Sequence, residues 1–184
     1  MARIHEFVDE GLGHSSYLID LGNGAAAVVD PPRFPDAHET LAKQGALRIA
    51  WTMDTHSHAD YVTGSPGLAA RAGATFVAPE ASRLETPHQP VRDQERLELG
   101  GGISIVAIAT PGHTPDHHAY ILEDNKKPIA PIASKGSTDF EGFPGAASAV
   151  AGTAEGALDR SGNPAVLGGA SGDVDCNLIA SVAK

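Results

Sequence analysis

The first third of the chain is patterned in short stretches of period two. Arg3–Val8 alternates polar and apolar positions, and Ser15–Ile19 and Ala25–Asp30 are brief apolar runs bounded by Gly22, Gly24 and the Pro31-Pro32 pair. Gly22-Asn23-Gly24 is a hairpin-turn signal, so antiparallel strands are predicted to open the fold. Pro35–Gln44 reads as a helix with Asp36 near its start, and Leu47–Met53 (LRIAWTM) reads as a buried strand. Gly64-Ser65-Pro66 predicts a second helix, with Ser65 as N-cap and Pro66 at the first helical position, running to about Arg71 and ending near Gly73. Thr75–Ala78 follows as a strand. The order strand, loop, helix, strand from Leu47 to Ala78 describes a βαβ unit.

The polar stretch 80–95 carries Pro87 and Pro90 and reads as surface loop. Leu97–Leu99 and Ile103–Ile108 are predicted strands around Gly100-Gly101-Gly102. His117–Leu122 is another, followed by a turn over 123–127 and the start of a strand in Pro128–Ile132. The pattern then changes. Residues 134–184 are rich in Gly and Ala, and Phe140 and Phe143 are the only aromatics there. Gly145–Leu158 could form a weak helix interrupted by Gly152 and Gly156, and the rest reads as loop. The expected organisation is a core over residues 1–133 and an atypical segment over 134–184. A rearranged or out-of-frame end is one account of that segment.

Composition narrows the partners. A length of 184 residues suits one domain, and 41% hydrophobic with 20% charged residues is enough for a core. Aromatics are only 5%, so Ala, Val, Leu and Ile must fill it. With 13 Lys plus Arg against 23 Asp plus Glu, the net charge of −10 opposes binding to nucleic acid or to anionic lipid. The lone Cys176 excludes an internal disulfide framework and a cysteine zinc finger. No apolar run approaches the roughly 20 residues of a membrane span, and MARIHEFVDEGLG has no apolar signal-peptide core. A cytoplasmic protein without nucleic-acid or membrane partners is expected.

The nine histidines are unevenly spread. His56-Ser57-His58-Ala59-Asp60 falls just after a predicted strand and before a predicted helix. At i, i+2 spacing in extended chain, two imidazoles point the same way, and a carboxylate two residues on can join them. Two imidazoles and a carboxylate suit zinc or iron(II). A second cluster, Thr110-Pro111-Gly112-His113, follows the strand 103–108, and its Pro-Gly turn can present His113 at a strand end. Plainer readings apply elsewhere. His14 suits a turn; His117 and His118 begin a strand as packed or exposed histidines, although either could orient His113. Ser65 is a helix cap rather than a nucleophile, and Cys176 is a bystander.

THSHADYVTG and ATPGHTPDHHAYIL together resemble the metallo-β-lactamase superfamily, whose hallmark is His-x-His-x-Asp-His followed by Gly-His-Thr. VVDPP at 28–32 resembles the family's first sheet, which ends in an Asp, and GSPGLAARAGA at 64–74 is most similar to the branch of persulfide dioxygenases, glyoxalase-II-like thioesterases and rhodanese-associated proteins. The resemblance spans residues 3–132. It implies an α/β fold, an αββα sandwich that is incomplete at the C-terminus. It also implies one divalent ion, Zn²⁺ or Fe(II), with His56, His58, His113 and Asp60 as the metal-associated residues and Asp60 as general base or ligand orienter. The implied activity is that of a single-metal hydrolase of a small thiol-derived substrate, by thioester hydrolysis, or alternatively persulfide oxygenation. The other reading is a degenerate, non-catalytic metal-binding or structural remnant.

The chain departs from the family pattern at three points. Tyr61 stands where the family has a second-site His, and phenol, with a pKa of about 10, is a poor ligand at neutral pH. The stretch Ile132–Ser137 carries no bridging Asp, the nearest being Asp139, and no His follows His118. These departures predict a mononuclear site with weak turnover.

Overall fold

A computed structural model of the chain describes residues 2–9, 11 and 13–132. The alternating runs at the start become β1 (Arg3–Asp9), β2 (His14–Asp20) and β3 (Ala25–Val29), paired antiparallel in sequence order. After β3 the chain crosses over through α1 (Asp36–Gln44) to β4 (Arg48–Met53), and from there through α2 (Ser65–Ala72) to β5 (Thr75–Pro79). Both crossovers join parallel neighbours; the second, from β4 to β5, is the βαβ unit expected over Leu47 to Ala78. The short strand β6 (Gln89–Val91) completes a sheet ordered β1-β2-β3-β4-β5-β6. A second, antiparallel sheet is ordered β10-β9-β8-β7, from β7 (Arg96–Gly100), β8 (Ile103–Ala109), β9 (His118–Asp124) and β10 (Lys127–Ile132).

The period of two decides which side chains meet. On the inner face of the first sheet Tyr17, Ile19, Met53 and Val77 pack against Ile103, Ile105, Tyr120 and Leu122 of the second. The outer face of the first sheet turns Leu18, Val28 and Ile49 toward Ala42 of α1 and Leu68 of α2. Each large aliphatic side chain buried this way stabilises the fold by about 1.5–3 kcal/mol. The Trp51 indole N–H donates to the Leu99 carbonyl oxygen at 3.0 Å and ties the sheets together. The layers are therefore helix, sheet, sheet. The second helical layer of an αββα sandwich has no counterpart among the described residues, and the helix predicted at 145–158 lies outside them. No helix among the described residues is long and apolar enough to cross a membrane.

Two local expectations are corrected. Residues 80–95 are not all loop: Glu80–Ser82 is a 3-10 turn, and β6 pairs in parallel with β5. Pro90 hid this strand, because proline is tolerated at the edge of a sheet, where β6 sits. Ser65 is not the N-cap of α2. Gly64 takes that position, and the Ser65 hydroxyl donates instead to Asp54 Oδ1 at 2.6 Å. Gly64 is needed for close approach, since a Cβ there would collide with the Pro32 carbonyl oxygen. Its N–H donates to the Pro31 carbonyl oxygen at 2.8 Å, and Pro32 bridges Thr63, so the segment after β4 is pinned to the segment after β3.

Candidate metal centre

The C-terminal ends of β3 and β4 and the connection between β8 and β9 meet at one edge of the sandwich, where open parallel strands commonly place ligands. Asp30 ends β3 in the left-handed region (φ 49°), which Asp tolerates better than most residues. That turn directs its carboxylate onto the start of the next loop. The Thr55 N–H and hydroxyl donate to its two oxygens, each at 2.7 Å, and His58 Nε2 lies 3.0 Å from Oδ1. Burial alone would raise the Asp30 pKa, but the adjacent His58, with His56 and the Thr55 bonds, holds it well below the usual carboxylate range. Asp54 has no comparable cation contact. Burial, reinforced by the Asp30 charge, pushes its carboxyl up to about 7, against hydrogen bonds from Ser65 and Thr63.

The sequence-predicted histidines are brought side by side. The His56 ring is buried with its centroid 4.1 Å from that of His58 and 5.1 Å from that of His113, the latter edge-on at 86°. His113 itself is exposed, as is Asp60. Burial, followed by the His58 charge, lowers the His56 pKa to about 4, so this imidazole is neutral and keeps one nitrogen lone pair free at neutral pH. His58 is moved the other way: burial opposes its charged form, but Asp30 outweighs it and raises the pKa.

The hydrogen-bond pattern gives His58 two different nitrogens. Its Nε2 faces the Asp30 carboxylate and the Tyr61 hydroxyl, both at 3.0 Å, whereas Nδ1 is buried without a protein partner. A carboxylate that fixes one imidazole nitrogen and leaves the other bare is the arrangement that orients a metal-binding histidine. A divalent ion held by His58 would therefore be taken at its Nδ1, the nitrogen left without a partner. Among the described residues, the ligand atoms lying within 4.8 Å of one another belong to Asp30, Asp54 and His58.

Several contributors had little or no signal in the sequence. His117 is fully buried, with its ring 4.9 Å from His56, Nδ1 2.8 Å from the Thr110 hydroxyl and Nε2 without a partner. It packs on His56 rather than orienting His113. Asp116 is 8% exposed, and its Oδ2 accepts from the Ser57 N–H at 2.8 Å and the Ser82 hydroxyl at 2.6 Å. His14 is no simple turn residue: its ring lies 4.4 Å from Tyr61 and its Nε2 2.9 Å from the Asp30 carbonyl oxygen. Asp30 was the one legible position, as the acid that closes the apolar run of VVDPP.

The metallo-beta-lactamase superfamily model matches residues 9–126, and the chain belongs to that superfamily. It is similar to proteins named hydroxyacylglutathione hydrolase. One, from Acidiphilium cryptum, is 38% identical over 103 residues, covering 55% of this chain and 42% of that protein. Another, from Methylococcus capsulatus, is 36% identical over 112 residues, covering 59% and 43%. The chain thus spans less than half the length of these relatives. Among solved structures, a metallo-beta-lactamase from Staphylococcus aureus superposes with a TM-score of 0.65 at 26% identity, over 71% of this chain and 40% of that one. ETHE1 from Myxococcus xanthus gives 0.60 at 29%, over 65% and 53%.

Proposed function

We propose that this chain is a metal-dependent hydrolase of a small thiol-derived substrate, with a glutathione-type thioester the leading candidate. One observation carries the reading: the bare, buried Nδ1 of His58 beside His56, with Asp30 holding the opposite nitrogen. The similarity to hydroxyacylglutathione hydrolases supports the choice of substrate class. In this reading residues 1–133 form the working core, and the protein acts in the cytoplasm. His56, His58 and His113 hold one divalent ion, zinc in preference to iron(II).

When bound, such an ion polarises a carbonyl and lowers the pKa of a coordinated water toward 7. The chain's own groups do the rest. Asp30 fixes the His58 tautomer. Tyr61 and His14 close the region beyond His58 with an aromatic contact at 4.4 Å. Asp60, exposed at the rim two residues beyond His58, serves as general base or orients a ligand. Thioester hydrolysis is favoured over persulfide oxygenation, because the resemblance implies that the iron branch uses a later carboxylate as a ligand. Asp139, the nearest candidate, lies outside the described residues. A second reading is a non-catalytic remnant, which the ligand-atom set of Asp30, Asp54 and His58, with one histidine rather than three, favours.

The test is to offer the zinc-loaded protein a glutathione thioester and, with the iron-loaded protein, glutathione persulfide plus oxygen. Thioester cleavage that His56→Ala and His113→Ala both abolish is expected. Robust oxygen consumption would reverse the order of substrates. Stoichiometric metal binding without turnover of either would select the remnant.

A further inference from the structure

The two loops that carry the candidate ligands come from different sheets. His56 and His58 follow β4 of the first sheet, and His113 follows β8 of the second. Their separation is therefore not set by strand pairing. It depends on whatever joins the loops directly. Asp116 does this with one oxygen. Its Oδ2 accepts from the backbone N–H of Ser57, the residue between His56 and His58, at 2.8 Å. The same oxygen accepts from the Ser82 hydroxyl at 2.6 Å, which brings in the 3-10 turn after β5. The Asp116 carbonyl oxygen lies 2.9 Å from His118 Nδ1, and the His118 N–H donates to the Thr55 carbonyl oxygen at 2.9 Å. Asp116 stands three residues after His113, so movement of either loop must break a charge-assisted hydrogen bond in a partly buried setting.

We propose that Asp116 is a positioning residue that sets the distance between the two histidine loops and thereby the metal affinity of the site. The proposal rests on the reading that His56, His58 and His113 hold the ion. Asp116 itself contributes no ligand. Its carboxylate points to Ser57 and Ser82, and its effect on the ion passes through the backbone between the two histidines.

The experiment compares the full chain with Asp116→Ala, Asp116→Asn and Ser82→Ala. Zinc affinity is measured by competition with a chromogenic chelator. Visible spectra of the Co²⁺-substituted proteins report ligand geometry, and melting of the metal-free proteins reports structure alone. Asp116→Ala is expected to weaken zinc about 10–100-fold, the usual effect of losing a group behind a ligand, and to change the Co²⁺ spectrum. Asp116→Asn keeps an acceptor of neutral type for the Ser57 N–H, so it should recover most of the loss and retain a wild-type Co²⁺ spectrum, with a residual defect of about fivefold. Ser82→Ala leaves the Ser57 contact in place and should bind zinc as the wild type does.

Wild-type zinc affinity and Co²⁺ spectrum in Asp116→Ala, with only the metal-free melting temperature lowered, would overturn the proposal. Should that variant not fold, Asp116→Asn decides it, and no loss of zinc affinity there would overturn it equally. Absence of zinc binding by the wild type is a different failure, because it removes the metal reading itself.

Discussion

The Tyr61 hydroxyl donates to the Asp30 carbonyl oxygen at 3.2 Å and lies 3.0 Å from His58 Nε2, so its one proton and its oxygen are both committed to the protein. Burial, then the charges of Asp30 and Asp54, drives the phenol pKa far above its ordinary value of 10.0. The position that carries a histidine in relatives of this pattern is thus filled by a group that stays neutral and braces its neighbours.

The first prediction concerns metal stoichiometry. Titration with Zn²⁺ should saturate near one equivalent in the wild type. Tyr61→His should do the same, because one added imidazole supplies no bridging carboxylate. Isothermal titration reads both directly, and tight uptake of a second ion by either protein would show that another ligand, Asp139 first among candidates, completes a second site.

The second concerns Asp30. Asp30→Asn removes the charge facing His58 and one of the acceptors for Thr55 while keeping the shape. Weakening a buried hydrogen bond to a charged acceptor in this way costs about 1–3 kcal/mol. A urea denaturation midpoint unchanged from wild type would show that the contact contributes little.

The third concerns pH. Burial, aided by the nearby His14, holds the His38 pKa at about 4 against the ordinary 6.5, and its Nε2 lies 3.1 Å from the Ser16 hydroxyl. The folded protein therefore keeps His38 neutral where the unfolded chain already binds a proton. Its contribution is fully present above 6.5 and is lost as pH falls toward 4, a loss of about 3 kcal/mol by linkage. His38→Gln should flatten the stability curve over that window. Parallel curves for the two proteins in urea melts from pH 7.5 to 4 would contradict the assignment.

The fourth concerns Gly64. In Gly64→Ala the new methyl group collides with the Pro32 carbonyl oxygen, a backbone atom that cannot swing aside. Overpacking of this kind costs about 1–3 kcal/mol, and here it also pries apart the segments that position Asp30 and His58. Thermal melting with and without zinc should show both a lower midpoint and a smaller gain from metal. A wild-type response to zinc would separate the loop contact from the site.

Most strand positions, the crossover from β4 to β5 and the two histidine motifs were legible in the chain, because they rest on local periodicity, turn residues and short spacings. Ile19 and Leu18 face opposite cores simply because adjacent strand residues point to opposite faces. The strand at Gln89–Val91 was not legible, since its pairing with β5 is set by the sheet and its proline suggests a loop. Nor was Asp116 legible as a clamp on Ser57, 59 residues away in sequence. The same holds for His117 beside His56, and for Ser65, which turns from the helix end to the Asp54 carboxylate. Sequence by itself determined most of the elements, β6 excepted, and which side chains can do chemistry, because those properties depend on near neighbours. Only the tertiary structure decided which nitrogen of His58 is held and which is left bare, because that choice depends on a carboxylate delivered from the end of another strand.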